Sequence, residues 1–224
     1  MGGFSPLWDA GFVGNPFRAL SETEWEEAAI LPPAMRFVMA NNDTDSVQIL
    51  GTAGHGKSSA LRAVIRDAQW TDRWVAYEYI PHGAQSFGAS VEVDGWFCLD
   101  EAQRLNPRER ERLIELCREK NLRLFLGSHE DLTPLFNRAR LPLATITLDT
   151  PEPAHFDKVL QNRLSRFARS GTPRASLTPD AFAFLRKRFG SDLRGAERFL
   201  FDVFQESVRE PVAITGDRLR RESR

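Results

Sequence analysis

The sequence predicts an α/β domain whose three-layer core is built on a mostly parallel five-stranded sheet, followed by a small all-helical C-terminal part. Three observations support this fold class. Short apolar runs alternate with helical patterns up to about residue 148. A glycine-rich turn at residues 51–56 joins the first of these runs directly to a helical pattern. After Asp149 the strand-like runs stop and only helical spacing continues.

The individual elements follow from the spacing of apolar residues. Residues 96–99, Trp-Phe-Cys-Leu, are a continuous apolar run of the kind that a parallel sheet buries on both faces. Residues 57–68 place Leu61, Val64 and Ile65 on one helical face. Strands are expected at residues 47–50, 74–80, 96–99, 122–126 and 144–148. Helices are expected at residues 21–29, 34–40, 57–68, 107–120, 154–170, 178–189, 191–209 and 216–221.

These elements divide the chain into three predicted parts. Residues 1–45 are expected to form an N-terminal linker and helices that pack on the core, residues 46–150 the α/β core, and residues 151–224 the helical lid. Between the second and third strands, residues 81–95 are rich in glycine and serine. This segment predicts a loop or a short hairpin, with a strand at residues 90–93 as the alternative.

Charge is distributed unevenly along the chain. The formal net charge is −1, yet residues 151–224 carry 15 Lys and Arg against 10 Asp and Glu, which leaves a net charge of +5 there and −6 elsewhere. A basic C-terminal part suits a polyanionic partner such as DNA. A solvated helical surface rich in arginine explains the same excess, and no homeodomain, zinc-finger or helix-turn-helix pattern is present.

The sequence favours a cytoplasmic protein without membrane insertion. No apolar run approaches the roughly 20 residues that span a bilayer. Residues 1–10 lack the basic-then-apolar layout of a secretory signal. Cys98 and Cys117 lie in apolar or helical patterns, which predicts free thiols in a reducing compartment.

The glycine-rich turn carries the most specific chemistry. It reads Gly-Thr-Ala-Gly-His-Gly-Lys-Ser and matches the pattern G-x-x-x-x-G-K-[ST]. Glycines let the backbone curl around a phosphate, and the following helix N-terminus adds partial positive charge. Lys57 is expected to reach the β- and γ-phosphates of ATP, and Ser58 to offer its hydroxyl to Mg²⁺. The predicted nucleotide contacts are Gly51, Thr52, Ala53, Gly54, His55, Gly56, Lys57, Ser58 and Ser59.

Two acids follow the third predicted strand. Asp100 and Glu101 come directly after the apolar run, at the sheet edge where ligands of α/β proteins bind. Asp100 is the expected partner of Mg²⁺ through water, and Glu101 the expected base that polarises the attacking water. An acidic helix N-cap beyond a core strand is the alternative interpretation. Together with the phosphate-binding turn, the pair predicts a P-loop ATPase.

The order of these motifs resembles the AAA+ ATPases, and most closely the branch of origin-recognition, transposition-regulator and secretion-type (ExeA-like) ATPases. The resemblance covers residues 15–215. It implies that Asn15 and Phe17, in an Asn-Pro-Phe segment, lie near the adenine, although a simple Asn-Pro turn explains them equally well. The family has a helix where residues 81–95 stand, so its substrates do not transfer directly.

The resemblance also implies three further roles. Ser128 or His129 would be the sensor of the γ-phosphate after the fourth strand, with a helix N-cap at Ser128 as the alternative. Arg194 would fold back on the nucleotide from the lid when the lid closes. Arg138 or Arg140 would be the arginine finger given to a neighbouring subunit, and each is equally well explained as a solvated loop charge.

The resulting hypothesis is an AAA+ ATPase that assembles into a homo-oligomer, hydrolyses ATP and acts on a macromolecular partner, with DNA as a candidate. A non-catalytic nucleotide switch is the second hypothesis, and Glu101 argues against it. A DNA-binding adaptor acting through the basic lid is the third. The Leu-Ser-Gly-Gly-Gln signature of transporter subunits is absent from the sequence.

Overall fold

A computed structural model describes residues 6–41, 46–69, 73–148, 152–169, 175–206 and 212–223. Some features predicted from the sequence lie outside these residues. They are the boundaries between the predicted parts, at residues 45 and 150, and the ends of two predicted helices, at Ser170 and at residues 207–209.

Helices and strands alternate along the first part of the chain, as predicted. The helices are α1 (Pro6–Asp9), α2 (Glu22–Ala28), α3 (Pro33–Asn41), α4 (Lys57–Gln69), α5 (Pro107–Glu119), α6 (Thr133–Arg138), α7 (Pro153–Phe167), α8 (Pro179–Phe189), α9 (Leu193–Glu206) and α10 (Gly216–Glu222). The strands are β1 (Ser46–Leu50), β2 (Val75–Tyr79), β3 (Trp96–Asp100), β4 (Arg123–Ser128), β5 (Leu143–Thr147), β6 (Ser176–Leu177) and β7 (Ala213–Ile214). The sequence did not predict α1, α6 or the pair β6 and β7.

The chain forms two compact units. One comprises Trp25–Asp149, and the other combines Met1–Glu24 with Thr150–Arg224. Residues up to Glu24 thus cluster with the C-terminal helices. The physical reason is aromatic packing, since the rings of Phe12 and Phe17 lie edge-on against Phe204 of α9, at centroid distances of 5.6 and 5.2 Å.

The larger unit is built on the predicted parallel sheet. Its strand order is β2-β3-β4-β1-β5, and every neighbouring pair is parallel. All five strands therefore end at the same edge. The register places Leu50 beside Ser128 and Asp100 beside Gly127, so the ends of β1, β4 and β3 form one row.

Both faces of the sheet are covered, which makes the three-layer core. Val47, Ile49 and Cys98 face the layer that contains α4, whereas Leu99 and Leu126 face the layer that contains α5 and α6. The β1–β2 connection crosses the sheet in one direction and the other three connections cross it in the opposite direction. Right-handed crossovers therefore place α4 on one face and the later connections on the other.

The segment between β2 and β3 is a loop, as its glycine and serine content predicted, and residues 90–93 do not form a strand. Glu78 anchors it by accepting hydrogen bonds from the amides of Gly88 and Ala89, the latter at 2.7 Å. Phe87 is 3% exposed and packs on Phe97 at 5.6 Å between ring centroids. The loop thus buries its own apolar side chain where a crossover helix would otherwise cover the sheet.

The second unit is mainly helical. Its core contains Leu160 and Leu164 of α7, Leu185 of α8 and Leu200 of α9, together with the N-terminal aromatic residues. It is not purely helical, because β6 and β7 form a two-residue parallel pair. No helix in the described residues has the length and apolar content that a membrane span needs.

Replacing Phe87, the buried ring of the β2–β3 loop, tests how much that ring contributes to stability. We expect Phe87→Ala to lower the free energy of unfolding by about 3 kcal/mol, because a fully buried ring leaves a cavity. Urea denaturation measures this. Val93→Ala in the same loop is the control, since Val93 is 63% exposed and its removal should change stability by less than about 0.5 kcal/mol. Equal effects of the two variants would show that Phe87 does not anchor the loop.

Candidate functional site

The glycine-rich turn connects the end of β1 to the start of α4. Gly54 and Gly56 have φ angles of 88° and 87°, in the left-handed region that side chains avoid. Two such residues in one short turn reverse the backbone so that α4 begins directly above the strand. The N-terminus of α4, a helix of 13 residues, therefore lies at the sheet edge, where the partial positive charge of a helix end attracts an anion.

Lys57, the first residue of α4, is 5% exposed. Its ammonium group donates hydrogen bonds to the carbonyl oxygens of Gly51, at 2.7 Å, and Thr52, at 3.1 Å. It also lies 3.3 Å from Nε2 of His129. The ammonium group is thus held at the mouth of the turn by the two carbonyl oxygens, close to the imidazole of His129.

Other residues of the turn are more exposed. Thr52 and Ala53 are exposed, and the Thr52 hydroxyl lies 2.9 Å from Nε2 of His55. Ser59 points elsewhere, because its hydroxyl accepts a hydrogen bond from the indole N–H of Trp25 at 3.0 Å. Trp25 thus ties α2 to the first turn of α4.

Ser58 and Asp100 form the oxygen pair expected for a metal ion. Asp100, at the end of β3, is 1% exposed. Burial raises the pKa of its carboxyl group, while the hydrogen bond with the Ser58 hydroxyl acts in the opposite direction. The Glu101 amide donates to Oδ1 at 3.0 Å and the Tyr77 hydroxyl to Oδ2 at 3.4 Å.

This pair fits Mg²⁺. Carboxylate and hydroxyl oxygens are its preferred ligands, and it commonly takes its remaining ligands from water and substrate phosphates. The described residues contain no group of three or more His, Cys, Asp or Glu that could hold a metal ion. Gly127 makes room beside the carboxylate, because a Cβ atom there would lie 2.6 Å from Oδ1 of Asp100.

Glu101 stands in a strained backbone conformation, with φ 61° and ψ 39°. Its Oε2 accepts hydrogen bonds from Gln103 at 2.8 Å and Arg104 at 2.9 Å, and its Oε1 lies 3.2 Å from Nε2 of His129. Burial opposes ionisation, but the Gln103 hydrogen bond and the positive charges of Arg104 and Lys57 outweigh it and lower the pKa of Glu101. The carboxylate is therefore charged at neutral pH and able to accept a hydrogen bond from water.

The structure distinguishes the two sensor candidates. The Ser128 hydroxyl is fully buried and turned into its own loop, where it donates to the Glu130 carbonyl at 2.7 Å and accepts from the Glu130 amide at 3.0 Å. His129 instead places Nε2 between Lys57 and Glu101. Of the two, only the imidazole reaches the cluster.

The two finger candidates lie on the same unit as the turn. Arg138 ends α6 and Arg140 follows it with φ 55°, and both side chains are exposed. Within the part of the chain that the structure describes, neither guanidinium group has an ion-pair partner. They are available to an external anion, and the geometry does not separate them.

Asn15, Phe17 and Arg194 belong to the second unit. Asn15 donates to the Phe201 carbonyl at 2.9 Å and accepts from the Phe17 amide at 3.0 Å, and both residues are buried. Arg194 is exposed in the first turn of α9, where the Asp192 carboxylate caps the helix by accepting from the Gly195 amide at 2.8 Å. Asn15 and Phe17 are thus packed within this unit, whereas Arg194 lies at its surface.

Sequence reasoning missed Gln103, Arg104 and Gly127. Gln103 also accepts from the His129 amide at 3.2 Å, so it connects the loops after β3 and β4. Arg104 donates to the Ile80 carbonyl at 2.6 Å as well as pairing with Glu101. The Asp-Glu-Ala-Gln-Arg sequence places Gln103 and Arg104 close to Glu101 along the chain. Only the left-handed backbone at Glu101 shows that their side chains turn back to bond its carboxylate.

The sheet and the turn together define the P-loop α/β fold. Solved structures of RuvB from Thermotoga maritima, described as a Holliday junction branch migration motor, share it. One aligns with a TM-score of 0.58 at 16% identity, over 90% of this chain and 67% of that one. A single-substitution variant of the same protein aligns with a TM-score of 0.59 at 17% identity, over 90% and 65%. The chain thus spans about two thirds of the RuvB length, and the similarity is one of fold.

No protein-family model and no curated protein matches the sequence.

Adding a methyl group beside Asp100 tests the need for Gly127. We expect Gly127→Ala to lower the free energy of unfolding by about 1–3 kcal/mol, because its Cβ atom would overlap Oδ1 of Asp100 and crowd Leu61, at 3.2 Å. Gly88→Ala is the matched control, since nothing lies within 4 Å of its Cβ position. Thermal and urea unfolding compare the two. A neutral Gly127→Ala variant would contradict the close approach of β4 to Asp100.

Proposed function

We propose that the chain is an AAA+ ATPase, which binds ATP with Mg²⁺ at the turn and hydrolyses it. The observation that carries the proposal is the convergence of three chemical functions at one sheet edge. The Lys57 ammonium group, the Ser58–Asp100 oxygen pair and the Glu101 carboxylate come from α4, β3 and the turn after β3. An anion-binding helix end, metal-ligating oxygens and an ionised acid are what phosphoryl transfer to water requires.

Binding of the triphosphate would use the amides of residues 51–59 and the ammonium group of Lys57. Lys57 exchanges its present partners, the Gly51 and Thr52 carbonyls, for the β- and γ-phosphates. Mg²⁺ would be held by Ser58 and, through water, by Asp100, and it would neutralise charge on the phosphates. The bond from the Glu101 amide to Asp100 keeps that carboxylate aimed at the Ser58 hydroxyl.

Glu101 would orient the attacking water. Since its pKa is lowered, it acts as an ionised hydrogen-bond acceptor. Its Oε1 atom contacts Nε2 of His129, and the same Nε2 lies 3.3 Å from the ammonium group of Lys57. With ATP bound, the His129 imidazole would give up its contact with Lys57 and bond the γ-phosphate or the attacking water instead. We therefore prefer His129 over Ser128 as the sensor.

The residues of the second unit and the finger candidates complete the proposal. Arg194, exposed at the start of α9, would reach the phosphates when the lid closes. Asn15 and Phe17 would shape the region near the adenine. Arg138 or Arg140 would complete a neighbouring subunit's site in a homo-oligomer. We also propose that the chain belongs to the ExeA-like branch and is cytoplasmic. Its proposed parts are residues 1–45, 46–150 and 151–224.

We further propose DNA as the macromolecular partner. The similarity to a Holliday junction motor supports this class of partner, as does the net charge of +5 on residues 151–224.

One observation favours the non-catalytic switch as a second candidate. The Glu101 carboxylate is already engaged by Gln103, Arg104 and His129. If these contacts persist with ATP bound, no water reaches the acid and ATP binding alone changes the conformation. Stoichiometric ATP binding without turnover, with DNA present, would support the switch over the ATPase.

Substitutions of Lys57 and Glu101 distinguish the residue needed to bind ATP from the residue needed to hydrolyse it. We expect Lys57→Ala to abolish Mg²⁺-dependent ATP hydrolysis and to weaken ATP binding. Glu101→Gln should lower turnover by about 100-fold or more with ATP binding within a few-fold of the parent, because a neutral amide polarises water poorly. Phosphate release and calorimetric titration measure the two effects. Arg108→Ala, at an exposed position of α5, is the control. Unchanged turnover in both test variants would refute the site.

Dependence of turnover on protein concentration tests the shared site. The rate per subunit should rise with concentration, and Arg138→Ala or Arg140→Ala should abolish the rise, because a finger acts only on a neighbour's phosphate. The same titration is repeated with duplex DNA, which should stimulate turnover in a salt-sensitive way. A rate independent of concentration would exclude a shared site, and one unaffected by DNA would exclude DNA as the activating partner.

A further inference from the structure

An amide side chain lies at the centre of the parallel sheet. Gln48, in the middle of β1, is fully buried on the face opposite Val47 and Ile49. A buried amide without partners is costly, whereas an apolar side chain of similar volume would fill the position without polar contacts. Gln48 must therefore be explained by what its amide bonds.

Every polar atom of this amide has a close partner. Nε2 lies 2.7 Å from Oδ1 of Asp131, 2.8 Å from the Thr133 hydroxyl and 2.7 Å from the Thr145 hydroxyl. Oε1 accepts a hydrogen bond from the Leu132 amide at 2.9 Å. A backbone N–H can only donate and a carboxylate can only accept, so the orientation of the amide is unambiguous.

Three of these four partners are consecutive residues, Asp131, Leu132 and Thr133. They form the second half of the turn between β4 and α6, whose first half contains His129. The other end of the turn is closed by the reciprocal bonds of Ser128 and Glu130. The turn is therefore pinned on both sides of His129, while the His129 ring itself extends to Lys57 and Glu101.

The position of Gln48 in the chain gives this anchor a consequence for the site. Gln48 precedes the phosphate-binding turn by only three residues on the same strand. One side chain thus connects the strand that ends in that turn with the turn that carries His129. A distance of 3.3 Å between Lys57 and His129 requires that these two segments keep a fixed relation.

We propose that Gln48 is a positioning residue, which holds the β4–α6 turn on β1 and thereby places the His129 imidazole between Lys57 and Glu101. The inference rests on the proposed ATPase function for its effect on turnover, and on geometry alone for its effect on the turn. It assigns Gln48 no contact with the nucleotide.

A double-mutant cycle tests the effect on turnover. Gln48→Met keeps the side-chain volume and removes the amide. We expect kcat to fall about tenfold with ATP affinity within twofold, because the chemical step needs the imidazole in place and binding does not. In a His129→Ala background the same substitution should change kcat less than twofold. Equal effects in both backgrounds would overturn the proposal and leave Gln48 a purely structural residue.

Two threonines provide matched controls that bond the same amide. Thr133→Val removes a partner on the turn, and Thr145→Val removes one on β5. Thr133→Val should lower kcat in the same direction as Gln48→Met, whereas Thr145→Val should leave it within twofold. Equal losses in the two threonine variants would contradict an action through the turn. This comparison also remains decisive if Gln48→Met does not fold.

Amide hydrogen exchange tests the geometry independently of catalysis. In Gln48→Met and in Thr133→Val, exchange of the amides of residues 130–133 should accelerate at least tenfold, with β1 and β3 unchanged. No acceleration would overturn the proposal even if turnover falls. If the parent protein hydrolyses no ATP, the proposed function fails, and the exchange result alone decides whether Gln48 positions the turn.

Discussion

The site depends on the register of three parallel strands. Because β1, β4 and β3 run in the same direction, their ends meet at one edge, and the observed pairing sets Leu50 level with Ser128 and Asp100 level with Gly127. A slip of one residue would turn Asp100 to the other face of the sheet and separate it from Ser58. Side chains of these strands pack into a different core cluster on each face of the sheet, and a slip would exchange the side chains that each cluster buries. Core packing and site geometry therefore have a common cause.

Asp100 and Glu101 are neighbours in the sequence, but their carboxyl groups lie in different surroundings at this edge of the sheet. Asp100 is buried against Ser58, while Glu101 is half-buried among Gln103, Arg104 and His129. The two adjacent carboxyl groups thus have opposite pKa shifts: burial dominates at Asp100, whereas at Glu101 the Gln103 hydrogen bond and the positive neighbours together outweigh burial. The left-handed backbone at Glu101 produces this divergence, since it turns successive side chains into different surroundings. Divergent environments for two acids suit separate roles in metal binding and in water activation.

Local patterns predicted the larger unit well. The run Trp96–Asp100, the glycine turn and the amphipathic pattern of α5 each depend on neighbours in the sequence, so periodicity reveals them. The loop at residues 81–95 was also foreseeable from its composition. The short helix α6 was not, because its single buried ring, Phe136, gives no periodic signal. The grouping of Phe12 and Phe17 with Phe204 was beyond sequence reasoning, since Phe204 lies 192 and 187 positions after them in the chain.

By itself, the sequence determined the parallel α/β core, the turn at residues 51–58 and the two acids after β3, because each is encoded in a contiguous stretch. Only the tertiary structure decided which side chains meet there. It turned Ser128 into its own loop, brought His129 to Lys57, recruited Gln103 and Arg104 to Glu101 and anchored the His129 turn on Gln48. The physical reason is that hydrogen-bond partners between strands depend on register and turn geometry, which residues distant in the sequence set jointly.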